Sequence, residues 1–290
     1  MRQMASARSR DLFRTSRLLA GTCALALSTT VASSTPGGPP RLPPQVPPHL
    51  DEAQQTLFDN IVDTRVAIVG RDALFDEHGA LRGPWNPEVA SPALGQHLER
   101  LATAIRTENS LEPRLYEVRR RRRRCGGSRR MNRVRMRRPP RPNRSDQRHG
   151  SRPRRRRGAR ARREVAILVV GVHWQAQFEW YAHEKIARRA GVADAAFPLM
   201  RAAAPADALE DVLAPDEAAV YRLALELMQT KRVSAATYAA TKAALGGDGD
   251  RKMADLCMTM GCYSAVSKIL NMFEVALPEG APLPFPEPEK

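Results

Sequence analysis

The sequence predicts an all-α protein: one helical domain of 195 residues, interrupted and preceded by segments that do not belong to its core. Three observations carry this. Apolar residues recur at three- and four-residue spacing from residue 50 onward, and no alternating strand pattern competes with them. Helix start and stop residues bracket those runs. An arginine block at 118–164 divides one helical run in two: skipping it, Arg114-Leu115-Tyr116-Glu117 reads directly into Val165-Ala166-Ile167-Leu168-Val169-Val170.

The first 35 residues form a presequence. Arg2, Arg8, Arg10, Arg14 and Arg17 precede a ten-residue apolar run at 18–27, followed by small residues at 28–34. This fits a signal peptide and suits a mitochondrial transit peptide equally, so the address is secretory or mitochondrial. The run is far short of a membrane span. Residues 36–48 are a proline-rich linker, extended rather than packed.

The domain proper is then 49–117 plus 165–290. Leu50-Asp51-Glu52-Ala53 opens a helix carried by Leu57, Ile61, Val62 and Val66. Residues 70–92, with three glycines and three prolines, read as a long loop. Ser91-Pro92 starts the next helix, with Ser91 as its N-cap and Leu94, Leu98, Leu101 and Ile105 at helical spacing. Leu111-Glu112-Pro113 starts another, which continues across the block to Ala190 and stops at Gly191. Further helices are expected over 215–229, over 235–245 with Ser234 as cap, and over 251–273.

Segment 118–164 holds 23 Arg, no Lys and two acids, a net charge of +21 against +16 for the whole chain, so all other residues together carry −5. The basic balance therefore says nothing about the domain. The block has no aromatic residue, unlike segments that bind nucleic acid by stacking. It reads as a retained intron translated in frame; the alternative is a disordered, solvated Arg-rich insertion. No nucleic-acid or membrane partner is expected.

Of four cysteines, Cys23 lies in the presequence and Cys125 in the block. Cys257 and Cys262 lie five apart on one helix, about 140° round its axis, so they do not face each other and read as core thiols. No zinc spacing and no CxxC pair occur. Neither metal nor cofactor is expected.

The stretch that bears chemistry is 174–183, with Trp174, Glu179, Trp180, Tyr181 and His183. Glu179 and His183 are four apart and share a helix face. A carboxylate that orients or charges an imidazole builds a general acid/base. The ordinary alternative is a surface i,i+4 pair, to which the apolar and aromatic neighbours are opposed.

The run from Val165 through Glu179-Trp180-Tyr181-Ala182-His183 to Ile186 and Gly191 resembles the carboxymuconolactone decarboxylase family. So do Pro113-Arg114-Leu115, the stretch from Leu213 to Tyr221, and Leu270 to Pro278, so that the resemblance spans nearly the whole domain. It implies an alkyl hydroperoxidase D-like helical bundle assembled as a trimer or hexamer. In the peroxidase branch of that superfamily two cysteines precede the histidine; here those positions are Ala176 and Glu179, so the thiol pair is absent. The family's opening glutamate falls on Glu164, or on Glu117 if 118–164 is excised. The resemblance thus implies a proton-transfer set of Glu164, Glu179 and His183; His173, Trp174 and Trp180 are candidate substrate-pocket residues, with an ordinary packing role the alternative for His173 and Trp174.

On a straight helix Glu164 and Glu179 would stand about 22 Å apart. For them to meet, the chain must fold back near Gly171 or a neighbouring subunit must contribute. The implied activity is a cofactor-free decarboxylase acting on a small carboxylated lactone or oxo-acid, with His183 protonating carbon and Glu179 setting the tautomer of the imidazole. The alternatives are a non-catalytic helical oligomer that binds a small apolar ligand and, more weakly, a hydroperoxidase.

Overall fold

The computed structural model describes residues 41–111 and 152–287. The presequence, Glu117 and most of the arginine block lie outside the described residues. Every regular element within them is helical, apart from one isolated antiparallel bridge between Phe75 and Leu81. No described helix is long and apolar enough to cross a membrane.

Helix α1 (Glu52–Val69) begins at a reciprocal cap. The Asp51 carboxylate accepts the Gln54 N–H at 2.8 Å, and the Gln54 side chain accepts the Asp51 N–H at 3.0 Å. The expected loop at 70–92 contains α2 (Arg71–Leu74), the bridge, and α3 (Trp85–Ala90). Asp76 organises the turn between Phe75 and Leu81 by accepting the N–H groups of His78 and Ala80, each at 2.9 Å. Leu74, Leu81 and Val89 pack with Leu57, Phe58 and Ile61 of α1 into a small core. Apolar burial therefore orders a stretch whose glycines and prolines read as loop.

Helix α4 (Pro92–Thr107) starts at Ser91 as expected, but the Ser91 side chain makes no capping bond. The crossing of α3 and α4 requires glycine at 95, because a Cβ there would sit 2.2 Å from the Glu88 carbonyl oxygen. That close approach sets the face α4 buries: Gly95, Glu99, Ala102 and Ile105. Leu94 is 74% and Leu101 39% exposed, so the leucine spacing marks the helix without marking its core face.

Helix α5 (Arg152–Trp174) runs through the centre of the main core, where residues 165–170 are all buried. A helix apolar on every side must be enclosed on every side. The enclosing elements are α6 (Gln177–Ala190), α8 (Pro215–Thr230) and α10 (Gly249–Met272), with α7 (Ala196–Arg201) alongside. Helix α9 (Ala235–Leu245) packs between α8 and α10, and Ser234 caps it by accepting the Thr237 N–H at 3.3 Å.

Two sequence expectations are corrected here. The single helix expected up to Ala190 is two helices, broken at Gln175, which takes a left-handed φ of 47°. The chain does turn back on itself near Gly171, but Gly171 stays helical. Its carbonyl accepts the Ala176 N–H at 2.9 Å, while the Gln175 N–H bonds to Val172. No glycine or proline marks residues 174–176, so nothing local announces the break. The end of the arginine block is also not a solvated loop. Residues 152–164 are helical, and Ala161, Arg163 and Glu164 are buried.

Candidate functional site

The reversal after Trp174 lays α6 antiparallel to α5 and brings Glu164 and His183 together. Glu164 Oε2 lies 2.7 Å from His183 Nδ1. The other Glu164 oxygen accepts from the Arg163 guanidinium at 3.2 and 3.3 Å, and Arg163 also donates to the Ile105 carbonyl at 3.4 Å. On the far side of the imidazole, Nε2 lies 3.4 Å from Glu179 Oε1. The edge-on ring of Tyr263, from α10, packs on His183 with centroids 4.9 Å apart. All three members of the expected proton-transfer set thus meet within one chain, at 1%, 3% and 5% exposure for Glu164, Glu179 and His183. An exposed i,i+4 pair is ruled out.

The two carboxyls differ. Burial raises the Glu164 carboxyl, but His183, by charge and hydrogen bond, then Arg163 and Arg106 outweigh it and hold Glu164 below the usual carboxylate range. Burial dominates at Glu179 and raises it, against His183 and Arg106 and with Glu164 adding to the rise. Glu179 Oε1 has no hydrogen-bond partner. An ionised Glu164 accepts Nδ1–H, which assigns the tautomer and leaves Nε2 facing a carboxyl that favours its protonated form. The partner that sets the tautomer is therefore Glu164, where the sequence reading gave that role to Glu179.

The expected pocket residues lie elsewhere. His173 and Trp174 end α5, about 15 Å along the helix from Glu164. His173 is exposed and packs edge-on against Trp174, which has Lys268 over its ring at 4.9 Å. Trp180 is fully buried, but its indole N–H donates to Glu184 at 2.8 Å and its ring meets Phe285 and Arg201. None of these contacts involves His183. A cavity of about 500 Å³ lies beside Tyr181, Lys185, Arg201 and residues 279–284, and another of about 390 Å³ beside α9.

Residues absent from the sequence expectation complete the surroundings. Arg106 of α4 lies over the Tyr263 ring at 5.9 Å. Burial opposes its charge, but Tyr263, Glu164, Glu99 and Glu179 together raise it above the ordinary arginine value. A second buried cluster holds Arg65, ion-paired with Glu99, and Glu88, which burial and then Glu99 push up to about 8. The one available signal was a charged residue on the buried face of α4: Glu99 and Ala102 are in, Leu101 is out.

Cys262 is buried and its thiol is pushed up to about 12, chiefly by burial, whereas Cys257 is exposed and not the core thiol expected. Among the described residues no group of three or more His, Cys, Asp or Glu side chains is arranged to hold a metal ion. No family model, curated protein or solved structure matches this chain.

Proposed function

We propose that the chain is a carboxymuconolactone decarboxylase-like enzyme that moves a proton onto carbon at His183. The observation that carries this reading is the buried imidazole held between one low and one raised carboxyl. Paired carboxyls with opposed shifts are how a site keeps one fixed charge and one transferable proton near neutrality. For a small carboxylated, conjugated lactone, the bond to the carboxylate breaks and its electron pair enters the conjugated carbonyl as carbon dioxide leaves. The carbon then takes a proton from protonated Nε2, as the charge of Glu164 steadies the imidazolium. Solvent returns the proton, with Glu179 as the adjacent carrier. The net change consumes one proton and releases one carbon dioxide.

The reading includes a homo-oligomer. Leu94 and Leu101 lie seven apart on one face of α4 and are exposed, as apolar positions awaiting a neighbour are. One observation favours the second reading, a non-catalytic helical oligomer with a small apolar ligand: His183 is 5% exposed and both cavities above lie elsewhere.

The test is turnover of carboxylated butenolides in D₂O. Carbon dioxide release with one deuterium at the vacated carbon, both lost in His183→Ala by about 10²–10⁴-fold, is the expected result. No release from any such lactone removes the decarboxylase reading and leaves the ligand-binding one.

A further inference from the structure

The buried and half-buried arginines around the two buried carboxylate clusters are paired, with one exception. Arg65 sits on Glu99, Arg163 on Glu164, and Arg162, half-buried, on Asp216. Arg106 is close enough to Glu164, Glu99 and Glu179 to be held charged by them, yet it makes no hydrogen bond or ion pair with any described residue. It is also the one of these groups at the site that is partly exposed, whereas Tyr263 and His183 behind it are buried. Tyr263 supplies an independent observation: its hydroxyl is buried and has no hydrogen-bond partner. Burial pushes that hydroxyl upward, against Arg106 and reinforced by Glu164 and Glu179, so it stays a donor. A guanidinium over the Tyr263 ring and an unpartnered O–H on that ring, which itself packs on the His183 imidazole, are a donor set without an acceptor.

We propose that Arg106, with the Tyr263 hydroxyl, is the anion-binding half of the His183 site and receives the carbonyl oxygen of a conjugated lactone on which negative charge collects. This rests on the decarboxylase-like reading above. Arg106 acts on that oxygen and not on the departing carboxylate. A cation on the carboxylate would stabilise the ground state, which loses that charge, whereas a cation on the carbonyl oxygen stabilises the state that gains it. The electron pair released with carbon dioxide thus rests on an oxygen held by Arg106 until it returns to carbon, which takes the His183 proton.

The experiment is calorimetric titration of the full chain with tetronic acid, a five-membered lactone present as its enolate anion at neutral pH, with neutral 2(5H)-furanone as control. Wild type binds the enolate. Arg106→Gln weakens that binding roughly ten- to a hundredfold. Arg106→Lys recovers part of the loss, Tyr263→Phe weakens binding by about threefold to tenfold, and furanone binding is indifferent to all three changes. If Arg106→Gln does not fold, Arg106→Met keeps the buried stem without the charge and makes the same comparison. Unaltered enolate binding without the charge, or no enolate binding by wild type at millimolar concentration, overturns the proposal. Arg106-dependent binding together with no carbon dioxide release from any carboxylated lactone leaves the anion site standing and removes the decarboxylase reading.

Discussion

Glu164 and His183 belong to different helices, nineteen residues apart, and their side chains meet at 2.7 Å. The contact exists because three residues, Trp174 to Ala176, reverse the chain direction. It joins the end of the arginine-rich segment to the aromatic stretch that bears His183, so the register of α5 against α6 decides whether the imidazole has a fixed tautomer.

The two carboxyls respond differently to neutralisation. Glu164→Gln removes one buried carboxylate from Arg163 and replaces the acceptor of Nδ1–H with an amide. We expect a loss of about 2–4 kcal/mol in stability, as when one partner of a buried pair is removed, and a turnover loss of about a hundredfold or more. Glu179→Gln removes a carboxyl already raised by burial. Stability should change by less than about 1 kcal/mol, and turnover should fall less than in Glu164→Gln. Thermal melts and carbon dioxide release on both variants check this ordering.

Stability falls with rising pH in the window set by Glu88. Its folded-state value is about 8, against 4.5 for the ordinary carboxyl. Below 4.5 both folded and unfolded chains carry the proton, and Glu88 costs nothing. Between 4.5 and 8 the unfolded chain releases it first, so unfolding becomes easier as pH rises. Glu88→Gln should remove that slope and stabilise the chain more at pH 8 than at pH 5. Denaturant titrations at the two pH values measure the difference. Glu164, lowered in the folded state, acts with the opposite sign: its contribution is present above 4.5 and is lost as pH falls through the lowered value.

The arginine block is expected to be dispensable. The Arg162 guanidinium donates to the Leu111 carbonyl at 3.0 Å, so the chain before the block lies beside the chain after it. In a chain lacking 118–164, Glu117 takes the register of Glu164 and Tyr116 that of Arg163. The cost is Arg114 in the register of buried Ala161, where its stem must run along the core and its head reach solvent. Such a chain should be soluble, helical and at least as heat-stable as the full one, and Glu117→Gln in it should repeat the effect of Glu164→Gln. Loss of helical circular dichroism on deletion would contradict this.

Spacing made much of the helix inventory legible. The 235–245 helix, with Ser234 as its cap, lies where its punctuation puts it, and the helix opened at Pro215 ends within one residue of expectation. The i,i+4 relation of Glu179 and His183 was equally local. What escaped the sequence is long-range. The break at Gln175 has no turn residue, and the rotation of α4 depends on one backbone crossing at Gly95. Arg106 and Tyr263 join the site because α4 packs on α10 and α10 packs on α5 and α6, and neither position carries a motif. Conversely, the clustering of His173, Trp174 and Trp180 along the chain suggested a shared pocket, whereas His173 and Trp174 end α5 away from His183 and Trp180 contacts Glu184, Phe285 and Arg201.

The most direct measurement is the ¹⁵N and ¹H nuclear magnetic resonance of the His183 imidazole in the full chain, followed across neutral pH with Glu164→Gln as reference. Nδ1 should carry its proton throughout, in a strong hydrogen bond to the Glu164 carboxylate, and Nε2 should be the nitrogen that exchanges its proton. In Glu164→Gln the Nδ1 proton should lose its strong-bond shift. A wild-type spectrum with Nδ1 unprotonated and Nε2 permanently protonated would put the exchangeable proton on the wrong side of the ring and contradict the proton-transfer site.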